Sequence, residues 1–339
     1  MTTVAFLGLG HMGLPMAKNL VAAGHEVHGF DLVPAAIDAA QAAGIPVAAS
    51  GADAVDEARA AHALALAAGH RNIDAPVSGG VVGAENGTLA FMVGGADAVA
   101  DAEVVITMFP AGRHVIEAYR TELLAAARPG TLFIESSTIA VDEARAAHAL
   151  ALAAGHRNID APVSGGVVGA ENGTLAFMVG GADEDYTAAL PLLEVMGKRI
   201  VHCGGSGLGQ AAKVCNNMVL AVSQIAVAEA FVLGERLGLE HQALFDVVSQ
   251  ASGQCWSLTT NCPVPGPVPT SPANRDYQPG FAGALMAKDL GLALQAIEQT
   301  STDARMGRLA QELYAAYAAG DGGSRDFSGI ITDIRDGRV

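Results

Sequence analysis

Val4-Ala5-Phe6-Leu7-Gly8-Leu9-Gly10-His11-Met12-Gly13 is the stretch on which the fold turns. Four apolar residues make a short strand, and the glycine-spaced hexamer behind them opens a helical pattern running through Leu20 and Val21. Glu26–Asp31 then reads as a second strand that ends in an acid. Strand, Gly-rich turn, helix, strand and acid form the first unit of a Rossmann-type, dinucleotide-binding fold. The glycines permit a tight turn, close approach of a pyrophosphate and helix–strand packing, and the helix N-terminus offers N–H groups to phosphate charge. A G-x-G-x-x-G alone also occurs as plain structure; here the order of elements and the placed acid carry the reading. Asp31, 18 residues past Gly13, is placed to accept hydrogen bonds from ribose hydroxyls and would repel a 2′-phosphate, and Phe30–Pro34 holds no Arg to receive one. NAD is therefore the expected cofactor, rather than NADP.

Alternation continues outward from that unit. Strands are expected at Val104–Pro110, Thr131–Ser137 and Asn158–Val163, with helices at 113–127 and 141–154 between them. A hairpin-like segment at Gly173–Gly181, a helix around Tyr186–Met196 and a strand at Arg199–Cys203 follow. From Gly207 onward helical patterns dominate, at 208–236, 240–251, 283–299 and 303–319. The expected architecture is α/β: a Rossmann-type N-terminal domain with a mostly parallel sheet at 1–205, then an all-α C-terminal domain at 206–339 entered by a long interdomain helix.

One feature interrupts this order. Ala54–Asp97 recurs letter for letter as Ala140–Asp183, and Gly51–Val55 reappears as Gly95–Val99. Deleting any 44-residue window from 51–94 through 56–99 leaves one and the same 295-residue sequence. Stacked repeats need roughly three or more adjacent units, whereas 98–139 separates these two copies. The block reads as a recent duplication set into a parent chain at about 54–97. Its helix, with Ala60, Ala63, Leu64 and Ala67 on one face, and its strand Asn72–Val77 are expected to protrude from the nucleotide domain, while 140–183 holds the native place.

Composition narrows the class. Hydrophobic residues make up 51% of the chain and charged ones 16%, with a net charge of −16. That balance, without a Lys/Arg run, argues against nucleic acid or an anionic membrane as partner. The apolar run Met218–Leu233 carries Ser223, Gln224 and Glu229 and falls short of the ~20 apolar residues of a spanning helix, so a buried helix is expected. Cys203, Cys215, Cys255 and Cys262 have neither metal nor disulfide spacing. A cytoplasmic protein suits them, and no targeting segment is read at the N-terminus. His11 most simply offers its backbone, the other histidines lack metal spacing, and Cys215 reads as core packing.

Two further stretches carry chemistry. In Gly207-Leu208-Gly209-Gln210-Ala211-Ala212-Lys213-Val214-Cys215-Asn216-Asn217, Lys213 and Asn217 stand four apart on one helix face. Burial or a helix N-terminus would lower the lysine pKa toward a range useful for proton exchange; a surface lysine beside a capping asparagine fits the spacing equally well. In Asp160–Leu175, Ser164, Gly165 and Gly166 follow a strand and can offer a hydroxyl and successive N–H groups to a carboxylate, or form only a tight turn.

Taken in order, Phe6–Ala17, Asp160–Leu175, Gly207–Asn217 and Leu285-Met286-Ala287-Lys288-Asp289-Leu290-Gly291-Leu292 resemble the 3-hydroxyisobutyrate dehydrogenases of the β-hydroxyacid dehydrogenase family. Apart from the repeat, the resemblance spans the chain. It implies a catalytic Lys213 supported by Asn217, and a small-molecule β-hydroxy acid held by its carboxylate at Ser164-Gly165-Gly166. It also implies NAD contacts from Gly8, Leu9, Gly10, His11, Met12, Gly13, Asp31, Leu32, Met108, Phe109, Pro110, Thr138 and Lys288, and a homo-oligomer. The family's substrate loop follows a strand ending in Ser-Ser-Thr, as Ser136-Ser137-Thr138 precedes the second copy, so Ser164 is preferred over its twin Ser78. Ser252–Ser257 and Pro263–Gly266 look like the hydroxyisobutyrate branch, although Asn261-Cys262 stands where that branch usually has Tyr-Asn. The implied reaction is NAD-dependent oxidation of 3-hydroxyisobutyrate to methylmalonate semialdehyde. Reduction of tartronate semialdehyde or another short semialdehyde is the alternative on the same scaffold, and a nucleotide-binding protein inactivated by its insertion is the non-enzyme alternative.

Overall fold

The computed structural model describes residues 1–48 and 99–339, in two compact units, Met1–Gln210 and Ala211–Val339. The first copy of the repeat, with Ser78 and the expectation that it protrudes, lies outside the described residues.

In the first unit, β1 (Thr3–Leu7), β2 (Glu26–Phe30), β3 (Val104–Thr107), β4 (Leu132–Glu135) and β5 (Arg157–Asp160) pair in parallel in the order β2-β1-β3-β4-β5. β1, β3, β4 and β5 are buried along nearly their whole length, as a sheet covered on both faces requires. Alternate residues of β1 divide between two cores. Val4 and Phe6 pack with Met16 and Leu20 of α1 (Gly13–Ala22), while Ala5 and Leu7 face Val115 of α3 (Gly112–Ala118) and Ala144 and Ala147 of α4 (Val141–Ala153). On the β1 side of the sheet, α2 (Pro34–Ala42) follows β2 with Pro34 in its first turn, where a missing N–H costs nothing.

Beyond β5 the sheet changes direction. β7 (Leu175–Gly180) runs antiparallel to β5 and to the short β6 (Val163–Ser164), and β8 (Gly197–Gly204) lies parallel to β7. The expected hairpin at Gly173–Gly181 is thus a single strand. Leu175, Phe177 and Val179 are buried in alternation, a period that runs unbroken through the segment and leaves no residues for a return strand. Ala140–Asp183, the second copy, supplies α4, β5, β6, the short α5 (Gly166–Glu171) and β7. α6 (Asp183–Met196) then buries Ala189, Leu193 and Met196 against the sheet core.

The second unit is helical: most of α7 (Leu208–Arg236), with α8 (His241–Val248), α9 (Gly283–Thr300), α10 (Arg305–Ala319) and α11 (Ile330–Asp336). Its core joins Ala221, Ile225, Ala228 and Phe231 of α7 to Met286 and Leu290 of α9, Tyr314 and Tyr317 of α10, and Ile330 and Ile331. By length and composition α7 does qualify as long and apolar enough to cross a membrane, which corrects the reading that it falls short. The helix nonetheless buries Gln210, Lys213, Asn217 and Gln224 along one side and packs its apolar residues into the core just described.

Candidate active site

Register puts the nucleotide side of the site at one edge of the sheet. Phe30, Leu7, Thr107, Glu135 and Asp160 form the last aligned row across β2, β1, β3, β4 and β5. Each expected cofactor segment of this unit emerges just beyond that row. Between β1 and β3 the chain order reverses, and the carboxyl edge at such a switch point is where doubly wound sheets bind ligands.

The three glycines of the turn do three different things. Gly8 has φ +98°, and a Cβ there would come within 2.3 Å of the Met108 carbonyl oxygen. A Cβ on Gly13 would lie 1.7 Å from the Gly8 carbonyl oxygen, so the start of α1 can pack on the turn only without a side chain. At Gly10 a Cβ would meet no atom of the described residues within 4 Å, and the open space fits a closely approaching pyrophosphate. Asp31 accepts hydrogen bonds from the backbone N–H of Leu9 and of Val33, one on each carboxylate oxygen. The acid thereby ties the turn to the end of β2 and keeps lone pairs for ribose hydroxyls. His11 and Pro110 are exposed, and Met12, Leu32, Met108 and Thr138 are partly buried at the same edge. Phe109 is buried and donates its N–H to Ser137 Oγ at 2.7 Å.

Beneath this edge lies a buried polar row, in which Glu135 belongs to no motif and Asp160 only opens one. Glu135 is 1% exposed; its Oε1 accepts from the Ser137 N–H at 2.9 Å and from Thr107 Oγ1 at 3.4 Å. Its Oε2 meets no donor among the described residues. Burial, with a smaller push from the Asp160 charge, raises its pKa to about 8. Asp160 accepts from the backbone N–H of Gly207 at 2.7 Å and of Gln210 at 2.9 Å, so it caps the first turn of α7 (Leu208–Arg236) from 47 residues away. Burial raises its pKa, and those N–H donors oppose the rise. Gly209 allows this approach, since a Cβ there would lie 2.3 Å from the Met178 carbonyl oxygen. Ser164 ends β6 partly buried, followed by Gly165 and Gly166 at φ +134° and +63°, conformations that favour glycine. Behind them α5 is held to α1 by Asn19 Nδ2, which donates to the Ala170 carbonyl at 2.7 Å.

In the second unit, Lys213 is 6% exposed and Asn217 2%, so the lysine is not a surface residue and the asparagine is not a cap. Asn217 Nδ2 donates to Asp289 Oδ2, and Asn217 Oδ1 accepts from Asn216 Nδ2 at 2.9 Å. Burial lowers the Lys213 pKa; the Asp289 charge opposes that shift, and the Lys288 charge adds to it. Asp289 itself is raised by burial and pulled back by Lys213, Lys288 and the Asn217 hydrogen bond. A half-buried Lys288 thus stands beside a lysine–asparagine–carboxylate cluster able to hold and release a proton. Asp289 was legible only as a letter in the Leu285–Leu292 motif. Cys215, expected in the core, is exposed, because its neighbours Lys213, Val214 and Asn217 take the buried positions of that helix turn.

Comparison with known proteins identifies the family. A family model for the NAD-binding domain of 6-phosphogluconate dehydrogenase matches residues 3–65, 50–100 and 96–205. Another, described as the NAD-binding of NADP-dependent 3-hydroxyisobutyrate dehydrogenase, matches 207–334. A Mycobacterium tuberculosis protein named "Probable 3-hydroxyisobutyrate dehydrogenase" is 54% identical over 335 residues, covering 99% of this chain and 98% of its own. An NAD-dependent L-serine dehydrogenase of Pseudomonas aeruginosa is 43% identical over 330 residues, covering 97% and 96%. The solved structure of the Mycobacterium tuberculosis 3-hydroxyisobutyrate dehydrogenase with L-serine superposes with a TM-score of 0.82 at 52% identity, covering 99% of both chains. With the Gly-rich turn, the buried lysine cluster and these relatives together, the chain belongs to the 3-hydroxyisobutyrate dehydrogenase family of NAD-dependent oxidoreductases.

Proposed function

We propose that the chain oxidises 3-hydroxyisobutyrate to methylmalonate semialdehyde, with Lys213 as general acid–base. The carrying observation is the buried Lys213, its pKa lowered, beside the Asn217–Asp289 pair. Gly8–Gly13, Asp31, Leu32, Met108–Pro110, Thr138 and Lys288 would hold NAD, which supplies a hydride acceptor when bound. Lys213 Nζ takes the proton of the substrate hydroxyl during oxidation and returns it during reduction. Asn217, fixed by Asn216 and Asp289, holds hydroxyl and amine in register. Ser164 Oγ and the N–H groups of Gly165 and Gly166 bind the carboxylate.

L-serine is the second reading. It shares the HO–CH2–CH–COO⁻ frame and replaces the methyl by an ammonium group, and it is the substrate or ligand named for two relatives above. NAD-linked oxidation of both acids by the full chain and by Lys213→Ala tests the assignment. The expected outcome is a kcat lower by about 10²–10⁴ in the variant, as for loss of a general acid–base, with the better substrate set by kcat/KM. A folded variant within twofold of the full chain ends the role of Lys213. Cofactor binding without turnover of either acid by the full chain favours the inactive reading instead. A cytoplasmic homo-oligomer completes the proposal, supported by four free cysteines and by Val219 and Leu233 exposed at 62% and 59% on α7; light scattering of the purified chain tests the assembly.

A further inference from the structure

Gln210 is fully buried, and both ends of its side-chain amide find partners in the first unit. Its Nε2 donates to the Ser137 carbonyl at 2.7 Å, and its Oε1 accepts from the Ile139 N–H at 3.3 Å. One side-chain amide thus grips the backbone on both sides of Thr138. The grip is itself fixed, because the Gln210 N–H donates to Asp160 Oδ2 at 2.9 Å and the neighbouring Gly207 N–H to Asp160 Oδ1 at 2.7 Å. Ser137 in turn accepts the Phe109 N–H on its hydroxyl and donates its own N–H to Glu135. Every bond in this chain is out of water, where a lost partner costs more than the bond contributes.

We infer that Gln210 is a positioning residue for the cofactor: its amide clamp sets the backbone at Thr138, and through Ser137 the turn at Phe109, in the shape that NAD requires. The inference rests on the reading of Thr138 as a cofactor contact. An amide suits this task and a carboxylate does not, since one donor and one acceptor must be presented side by side. Glutamate at this position keeps the acceptor for Ile139 but sets a second oxygen against the Ser137 carbonyl until it takes up a proton.

Steady-state kinetics with varied NAD, on Gln210→Met, Gln210→Glu and Thr138→Val beside the full chain, test the inference. Gln210→Met keeps the volume and removes both bonds; KM for NAD is expected to rise about tenfold, as for loss of two buried hydrogen bonds, with a smaller fall in kcat. Gln210→Glu is expected to be impaired at neutral pH and to recover cofactor affinity on acidification, a gain the full chain does not show. A folded Gln210→Met within twofold in KM for NAD overturns the inference. If that variant does not fold, a Gln210→Glu pH profile parallel to that of the full chain overturns it equally. Thr138→Val separates the two readings. A raised KM there with an unaffected Gln210→Met sinks the clamp and keeps the contact. The converse pattern keeps the clamp, acting through the backbone, and removes the Thr138 side chain from the cofactor site.

Discussion

Two carboxyl groups that no motif reading assigned a role decide how the site responds to pH. Asp289 holds the Lys213 pKa up against the burial that lowers it. Asp289→Asn keeps an acceptor for Asn217 but removes the negative charge, so the ammonium form of Lys213 loses its support and gives up its proton at lower pH. The limb in kcat/KM for oxidation that reports this ionisation is expected to move toward acid in the variant; a limb that stays or moves toward alkali contradicts the pairing. Glu135 poses the opposite case. Its folded pKa, about 8 against 4.5, means that the native state holds a proton the unfolded chain has released. Its contribution to stability is complete below pH 4.5 and is lost as pH rises toward and through 8. Glu135→Gln keeps the acceptor for the Ser137 N–H and cannot ionise. The melting temperature of the full chain should therefore fall relative to the variant across that window, with each kcal/mol worth about 2–4 °C in a domain of this size. Parallel curves would place Glu135 in contact with water or a cation.

At the scale of elements, the β1–turn–α1 unit was readable from sequence because backbone sterics restrict which residue types can stand there. That is why the glycines carried so much of the fold. Their roles separate experimentally. Gly13→Ala drives a methyl against the Gly8 carbonyl oxygen and is expected to destabilise the domain by about 1–3 kcal/mol, the usual cost of overpacking. Gly10→Ala meets no atom of the described residues within 4 Å, so it should leave the melting temperature unchanged and raise KM for NAD. A Gly10→Ala chain with normal cofactor affinity would show that the open space is not where the pyrophosphate comes. What stayed hidden was pairing across distance. Asp160 stood in view as the first letter of a loop motif, yet its task is to cap a helix whose capping N–H, that of Gly207, lies 47 residues later. Asn217 and Asp289 meet across 72 residues, and the Gln210 amide reaches back 73 to Ser137. Local spacing carries no trace of such partners, whereas the alternation in β7, misread as a hairpin, was present in the letters and needed only its period counted.

At the scale of the whole molecule, the question is what the repeated segment does to the fold. The second copy, Ala140–Asp183, supplies α4, β5, β6, α5 and β7, with Ser164 at the end of β6. Ala48 and Val99, at the borders of the segment outside the described residues, belong to one hydrophobic cluster with Leu7, Phe30 and Val105. Removing 51–94 would join those borders through Ala49, Ser50, Gly95, Ala96, Asp97 and Ala98. Six residues reach about 20 Å when extended. Lengthening that connection by 44 residues costs about 2 kcal/mol of closure entropy at ~0.6 kcal/mol per doubling, unless packing within the segment offsets it. Every residue proposed for catalysis or binding lies outside 51–94. The shortened chain is therefore expected to be at least as stable as the full one, by up to about 2 kcal/mol, with kcat and both KM values within twofold. Denaturant melts and initial rates on the two chains decide it. A shortened chain that unfolds more readily or loses turnover would mean that the first copy has been built into the working fold, and the choice of Ser164 over Ser78 would then have to be tested by substituting each in the full chain.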